Sequence, residues 1–244
     1  MKRFFIVYTL TVADIDADNR MSVGAILNYF QDAIGRFLTT ARVGPFDLLE
    51  EGLTWMIAEF HCDIPGDMPA WPDAVAAEVF LSDISGIRAC VDFLFRDMKG
   101  RIIARGTSSW LLVDVASRRM ISCQELPRFV ELYDADNRVR HTRYHFPDTP
   151  TETAALPVHE VTAAETDFNG HMSNRDYVRL ALSLLRSEMR RGQPLRQLHV
   201  KFRQETHAGE TLQCRLQPLP AGAAVELARA TDGTRVCQLV AQWD

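Results

Sequence analysis

An internal duplication constrains this chain more than any other feature. The stretch Thr166-Asp167-Phe168-Asn169-Gly170-His171-Met172-Ser173-Asn174 has a weaker echo near the N-terminus. Laying Met21-Ser22 over Met172-Ser173, a shift of 151 residues (172 − 21), puts Asp16 on Asp167, Asp18 on Asn169 and Arg20 on His171. Each copy runs into a segment with apolar residues three and four apart. Self-similarity at a long period reports repeated architecture. A domain-sized period in 244 residues reads as two related halves of about 120 residues each. One half keeps Asp, Asn and His; the other has lost the His.

Each half reads as a helix followed by strands. Ile26, Leu27, Phe30, Ala33, Ile34, Phe37, Leu38 and Ala41 form a wide apolar stripe of helical period, predicted to end near Gly44-Pro45. Tyr177, Val178, Ala181, Leu184, Leu185 and Met189 form its counterpart, predicted to end at Gly192 and Pro194. Strand alternation follows both. Ile87, Ala89, Val91, Phe93 and Phe95 alternate with Arg88, Asp92 and Arg96; a turn at Asp97-Met98-Lys99-Gly100 then leads into a run from Arg101 to Val115. In the second half Leu198, Val200 and Phe202 alternate with His199, Lys201 and Arg203, and strand-like runs follow at 211–216, 224–230 and 235–243, with Asp232-Gly233 as a hairpin turn. The fold class is α+β, a sheet curled round a helix in each half. The predicted domains are 1–132 and 157–244, joined by a polar linker over 133–156.

Composition excludes several functions. A net charge of −5 without any Lys/Arg run argues against nucleic acid as a partner. Five scattered cysteines, with no CxxC pair, point to a reduced, cytoplasmic setting rather than a disulfide framework or a zinc site. Lys2-Arg3 and the apolar run Phe4 to Val12 imitate the start of a signal peptide. Asp14, Asp16 and Asp18 stand where a cleavage region should be small and neutral, so a buried first strand is expected instead. No apolar run approaches the roughly 20 residues of a membrane span.

Asp167, Asn169 and His171 occupy alternate positions before a helix. In an extended lead-in, residues two apart point the same way, so the three side chains are expected to line one pocket. The helix start near Met172 to Asn174 adds backbone donors and partial positive charge that suit an oxyanion. Asp and Asn alone would read as helix caps; His171 and the degenerate copy favour chemistry. Glu205, in Lys201-Phe202-Arg203-Gln204-Glu205-Thr206-His207, stands equally as an exposed strand-end residue or a second site carboxylate. His199 and His207 lie in no HxxxH or HxxE spacing and are read as ordinary histidines, with no metal expected.

In these blocks the chain resembles the acyl-acyl-carrier-protein (acyl-ACP) thioesterases, tandem hotdog proteins. The likeness rests on Leu27-Asn28-Tyr29-Phe30-Gln31-Asp32-Ala33, Leu53-Thr54-Trp55-Met56-Ile57, Met68-Pro69-Ala70-Trp71-Pro72-Asp73, Thr107-Ser108-Ser109-Trp110 with Ser117-Arg118-Arg119, Asp167 to Asn174 with Tyr177, and Phe202-Arg203-Gln204-Glu205. The resemblance implies two tandem hotdog domains and hydrolysis of a fatty acyl-ACP thioester to free fatty acid, with no cofactor. It implies catalytic roles for Asp167, Asn169, His171 and Glu205, and a first half that supplies the acyl-chain cavity, with Ile26, Phe30 and Trp55 as lining or plain core residues. Plant members often carry Cys directly after the catalytic Glu; Thr206 stands there here, which argues against a cysteine nucleophile.

The implied partner is an acidic acyl-carrier protein. Arg186, Arg190, Arg191 and Arg196, and Arg138, Arg140 and Arg143 in the linker, are either its dock or a solvated charge face. Acyl chain length, preference for carrier protein over coenzyme A, and oligomeric state, a homodimer included, are left open. The competing readings are an acyl-CoA thioesterase, a hydroxyacyl-thioester dehydratase of the same fold and a non-catalytic acyl-binding module.

Overall fold

The first apolar stripe folds as helix α1, Val23–Thr39, begun by Ser22, whose Oγ accepts from the Ala25 amide at 3.1 Å. It stops short of the predicted Gly44-Pro45 boundary. Arg42 adopts a left-handed φ of 58°, and the Val43 amide turns back to the Leu38 carbonyl at 3.1 Å, closing the last turn early. Pro45 then opens a separate short helix α2, Pro45–Leu49, at the position where a missing N–H costs nothing. The computed structural model describes residues 2–134, 139, 146, 158–185 and 193–243, and the chain divides into two units, Met1–His141 and Thr142–Asp244.

In the first unit the strands are β1 (Arg3–Thr9), β2 (Leu53–Asp63), β3 (Ala74–Ser85), β4 (Arg88–Asp97), β5 (Ile102–Asp114) and the short β6 (Met120–Ile121). They form an antiparallel sheet in the order β1-β3-β4-β5-β2, with β6 on β5. A short helix α3, Pro127–Val130, follows. Helix α1 packs on β3 and β1. The N-terminal apolar run is thus a strand, but an edge strand rather than a buried one: Phe5 and Val7 are 65% and 57% exposed. Their alternate neighbours Phe4 and Ile6 are half-buried, and among the described residues β1 pairs with β3 alone. The turn after β4 forms as predicted, with Asp97 Oδ1 accepting from the Lys99 and Arg101 amides at 2.9 Å each.

The second unit holds β7 (His159–Glu160), helix α4 (Asn174–Leu184), β8 (Leu195–Phe202), β9 (Thr211–Leu219), β10 (Gly222–Arg229) and β11 (Arg235–Trp243). Its antiparallel strand order is β8-β11-β10-β9-β7. Tyr177, Val178, Ala181 and Leu185 are buried, and α4 packs on β10 and β11. The predicted helix end at Gly192, with Met189, lies outside the described residues, as does nearly all of the 133–156 linker. Of that linker, Tyr133 bridges to Leu81 and Asp134 pairs with Arg3 at 2.8 Å, within the first unit.

The core of the first unit is aromatic. Phe93 lies 4.9 Å from Phe30 and stacks on Phe60 at 5.5 Å, interplanar angle 6°. Gly106 on β5 makes that stack fit. A Cβ there would fall 1.9 Å from the His61 carbonyl oxygen and 2.7 Å from the Phe93 ring, so neither backbone nor ring has room to yield. Gly106→Ala is therefore expected to cost about 3 kcal/mol, the upper end for overpacking. Gly35→Ala on α1, where a Cβ meets nothing within 4 Å, should be neutral or stabilising. Urea denaturation of both variants checks the contrast.

Candidate active site

The duplicated segment folds as the same backbone device twice. In the second unit a one-turn 3-10 helix, Ala163–Glu165, carries a Thr162/Glu165 capping box, then Thr166 bridges to Met172 across a tight turn. The turn is closed by the Asp167 amide donating to the His171 carbonyl at 2.8 Å, with Gly170 at a φ of 75°. In the first unit Val12–Asp14 carries a Thr11/Asp14 capping box, Ile15 bridges to Met21, and the Asp16 amide donates to the Arg20 carbonyl at 2.8 Å. Asn19 holds the left-handed position, φ 56°, that Gly170 holds in the second copy. Ser22 and Ser173 cap α1 and α4 through their hydroxyls. The 151-residue shift therefore matches caps, turns and bridges residue for residue.

This turn corrects the geometry expected from alternation. Residues 167–171 are not extended, so side-chain spacing does not bring the three groups together. Asp167 Oδ1 accepts from the Asn169 amide at 2.8 Å and stabilises the turn itself. Asp16 Oδ1 does the same for Asp18 and Arg20 at 3.0 Å each. Asp167 and Asn169 are exposed. Of the amides expected to polarise a carbonyl, those of Met172 and Ser173 are already committed to the carbonyls of Thr206 and Glu165, at 2.8 Å each.

The structure brings His171 to Glu205. The Met172–Thr206 backbone bond and the antiparallel bridge His171–His207 lay the turn against the loop that leaves β8. His171 Nε2 then lies 3.5 Å from Glu205 Oε2, with side chains 28% and 35% exposed. The contact is open enough for substrate and dry enough to strengthen a charge interaction. Thr206, between Glu205 and His207, is buried and shares a 2.6 Å hydrogen bond with the Tyr177 hydroxyl from α4. Burial raises the Tyr177 hydroxyl well above its ordinary range, so it stays protonated. Arg229 on β10 donates from Nη2 to the Glu205 carbonyl at 3.0 Å and pairs through Nε with Glu210 at 3.0 Å, while Glu210 accepts the His207 amide at 2.7 Å.

His207 belongs to this cluster although its spacing in sequence hid it. Its ring meets that of His171 edge-on, 4.9 Å between centroids. The legible signal is Glu205-x-His207, two residues apart on the loop that leaves β8. His199 does not join them: it is buried on β8. Ile26 and Phe30 lie in the buried core of the first unit, and half-buried Trp55 donates from Nε1 to the Val43 carbonyl at 2.9 Å and packs on Phe129. Of the Arg clusters, Arg196 sits on β8; Arg138, Arg140, Arg143, Arg186, Arg190 and Arg191 fall outside the described residues.

Comparison with known proteins accounts for nearly the whole chain. The profile of the acyl-ACP thioesterase N-terminal domain matches residues 2–128, and that of the acyl-ACP thioesterase C-terminal domain matches 150–244. A curated relative, the chloroplastic oleoyl-acyl carrier protein thioesterase 2 of Arabidopsis thaliana, is 24% identical over 166 residues, 63% of this chain and 44% of that protein. The chain thus spans less than half the length of the curated relatives it matches. Among solved structures, an acyl-ACP thioesterase from Bacteroides thetaiotaomicron superposes with a TM-score of 0.88 at 16% identity, covering 100% of this chain and 98% of that one. The 12:0-ACP thioesterase from Umbellularia californica gives 0.85 at 17% identity, covering 100% and 98%. At these identities the likeness establishes the fold, and the expected α+β class of hotdog type is borne out.

Glu165 anchors the turn beneath this site. Burial favours its protonated form, but Oε2 accepts from the Thr162 amide and hydroxyl at 2.8 Å each and Oε1 lies 2.9 Å from His159 Nε2. These bonds outweigh burial and hold the carboxyl below its ordinary 4.5. A folded pKa below the unfolded one stabilises fully above the unfolded value and is lost as pH falls through the folded value. The stability gap between wild type and Glu165→Gln, from urea denaturation, is therefore expected to be largest above about pH 4.5 and to shrink below it. A gap unchanged down to about pH 3 would contradict this account of the turn.

Proposed function

The chain belongs to the acyl-ACP thioesterase family, and on that premise we propose that it hydrolyses the thioester of a fatty acyl-ACP, releasing free fatty acid and ending chain elongation. The observation that carries the proposal is the His171–Glu205 contact in the half matched by the C-terminal domain profile. Glu205 takes a proton from water as the water oxygen attacks the thioester carbonyl, and His171 returns a proton to the departing thiolate. Their 3.5 Å approach, within reach of closing when substrate binds, lets the pair reset by passing the proton between them. Asp167 has one oxygen committed to its turn, so any role in activating the water falls to Oδ2, while Asn169 orients the thioester.

Several further features support the reading. The second carboxylate beside the histidine favours hydrolysis over the dehydratase chemistry that the fold also serves, and over a non-catalytic acyl-binding module. Five free cysteines favour a reducing compartment, for which we take the cytoplasm. Among the described residues no helix is long and apolar enough to cross a membrane. Ile26, Phe30 and Trp55 are proposed to border the acyl chain, Trp55 by its half-exposed face. A homodimer would add nothing to the reacting pair, because His171 and Glu205 come from one chain.

Glu205→Gln and His171→Ala are each expected to lower hydrolysis by at least about a hundredfold, the scale of a lost acid–base group. Asp167→Asn should remove most activity, while Asp16→Asn, in the copy with Arg20, leaves it within a few-fold. Single-turnover release of thiol from acyl-ACP by folded variants measures all four, and equal losses at Asp16 and Asp167 would overturn the one-site reading.

Alkylation should matter little. Burial raises the thiols of Cys62, Cys123 and Cys237 above their ordinary range and that of Cys214 up to about 11, so these four are not nucleophilic at working pH. Iodoacetamide is expected to leave hydrolysis intact; substrate-protected inactivation would show a cysteine mechanism instead.

A further inference from the structure

The cluster His171, Glu205 and His207 has a second property that proton transfer does not use. One ligating atom from each lies within 4.8 Å of the other two. His171 and His207 are directly opposed across an antiparallel bridge, the arrangement that brings two Cβ atoms to about 5 Å. Glu205 is two residues before His207, and Thr206 between them is buried while Glu205 and His207 are not. Ligands about 2.1 Å from a tetrahedral ion stand roughly 3.4 Å apart. His171 Nε2 and Glu205 Oε2, at 3.5 Å, already hold that separation. His207 Nδ1 lies 3.3 Å from the Gly170 carbonyl, and a proton there leaves the lone pair on Nε2 for a metal.

We propose that His171, Glu205 and His207 form a binding site for a divalent transition ion of the zinc class, and that the bound ion shuts off hydrolysis. Two imidazoles and one carboxylate are a ligand set zinc accepts, with a fourth position left for water. The ion engages the lone pair of His171 Nε2 and the carboxylate of Glu205, the same electrons that accept protons in the reaction. Binding and proton transfer therefore exclude each other. The first unit cannot hold a second ion in this way. Its equivalent backbone bond, Met21 amide to Pro69 carbonyl at 2.8 Å, and its equivalent bridge, Arg20 to Ala70, place Arg20, Met68 and Ala70 where the three ligands stand. One ion per chain is the expected stoichiometry. The inhibition, though not the binding, rests on the hydrolase reading.

The test titrates the full chain with Co2+, followed by visible absorption, and measures hydrolysis against added Zn2+. Wild type should take up one Co2+ per chain, release it to Zn2+, and lose activity to Zn2+ reversibly on chelation. His207→Ala should bind Co2+ at least about tenfold more weakly, the lower end of what even an outer partner contributes to a metal site. It should need correspondingly more Zn2+ to lose the same fraction of its own metal-free rate; His207→Gln, closer in size, repeats the measurement should the Ala variant fold poorly. Uptake of no Co2+ by folded wild type, unchanged affinity in both His207 variants, or acceleration by Zn2+ would each overturn the proposal. Stoichiometric uptake lost with His207 in a chain that hydrolyses no thioester would uphold the site and defeat the hydrolase reading instead.

Discussion

One backbone hydrogen bond organises the candidate site: the Met172 amide donating to the Thr206 carbonyl at 2.8 Å. His171 precedes the donor and Glu205 precedes the acceptor, so this bond, with the His171–His207 bridge beside it, brings imidazole and carboxylate together. Everything around it restrains the two strips of chain it joins. The Asp167 turn holds one side, through Gly170 in the left-handed region. Tyr177 holds the other, by the 2.6 Å hydroxyl contact to buried Thr206. Arg229 adds a donor to the Glu205 carbonyl and a pair to Glu210, tying β10 to the same loop. Net, each such bond contributes about 1 kcal/mol. Their larger effect is positional, since the proposed proton transfer across 3.5 Å would tolerate little drift.

The first unit repeats the bond with different chemistry on either side of it. Met21 donates to Pro69 at the same 2.8 Å, beneath the same capping box, the same turn and the same helix cap. Backbone placement and side-chain content are therefore separable in this chain. The capping residues Thr11, Asp14 and Ser22 keep their partners although Arg20 and Met68 stand where the second unit has its His–Glu pair. These contacts answer to folding, since helix and turn ends must satisfy their amides whatever the side chains do.

Much of this architecture was legible in residue order. Apolar periods located α1, α4, β4 and β8, whereas the hairpin between β10 and β11, two strands buried over almost their whole length, was marked by its Asp232-Gly233 turn. Strand β3 escaped such reading: Val75 and the unbroken run Ala77 to Ser82 are buried, so little alternation marks it. The first strand misled in the opposite direction, since Phe5 and Val7 are apolar yet face outward at a sheet edge. At the site, the residue types were legible and their arrangement was not. Asp167, Asn169 and His171 look like an alternating strand on paper, but Gly170 permits the positive φ that folds them into a turn. His207 was hidden because its partner His171 is 36 residues away (207 − 171) and meets it only across a bridge.

The left-handed position shared by Asn19 and Gly170 has a consequence for how such a chain can change. Both residue types tolerate that conformation, so the copies drifted apart in side chains without drifting in path. Placing His at 20, Glu at 68 and His at 70 would restate the second unit's side chains on a backbone that already bends, bridges and caps in the same way. At this turn the first unit thus offers a ready backbone without the His–Glu pair, a place where new chemistry can be tried while the candidate site is left untouched.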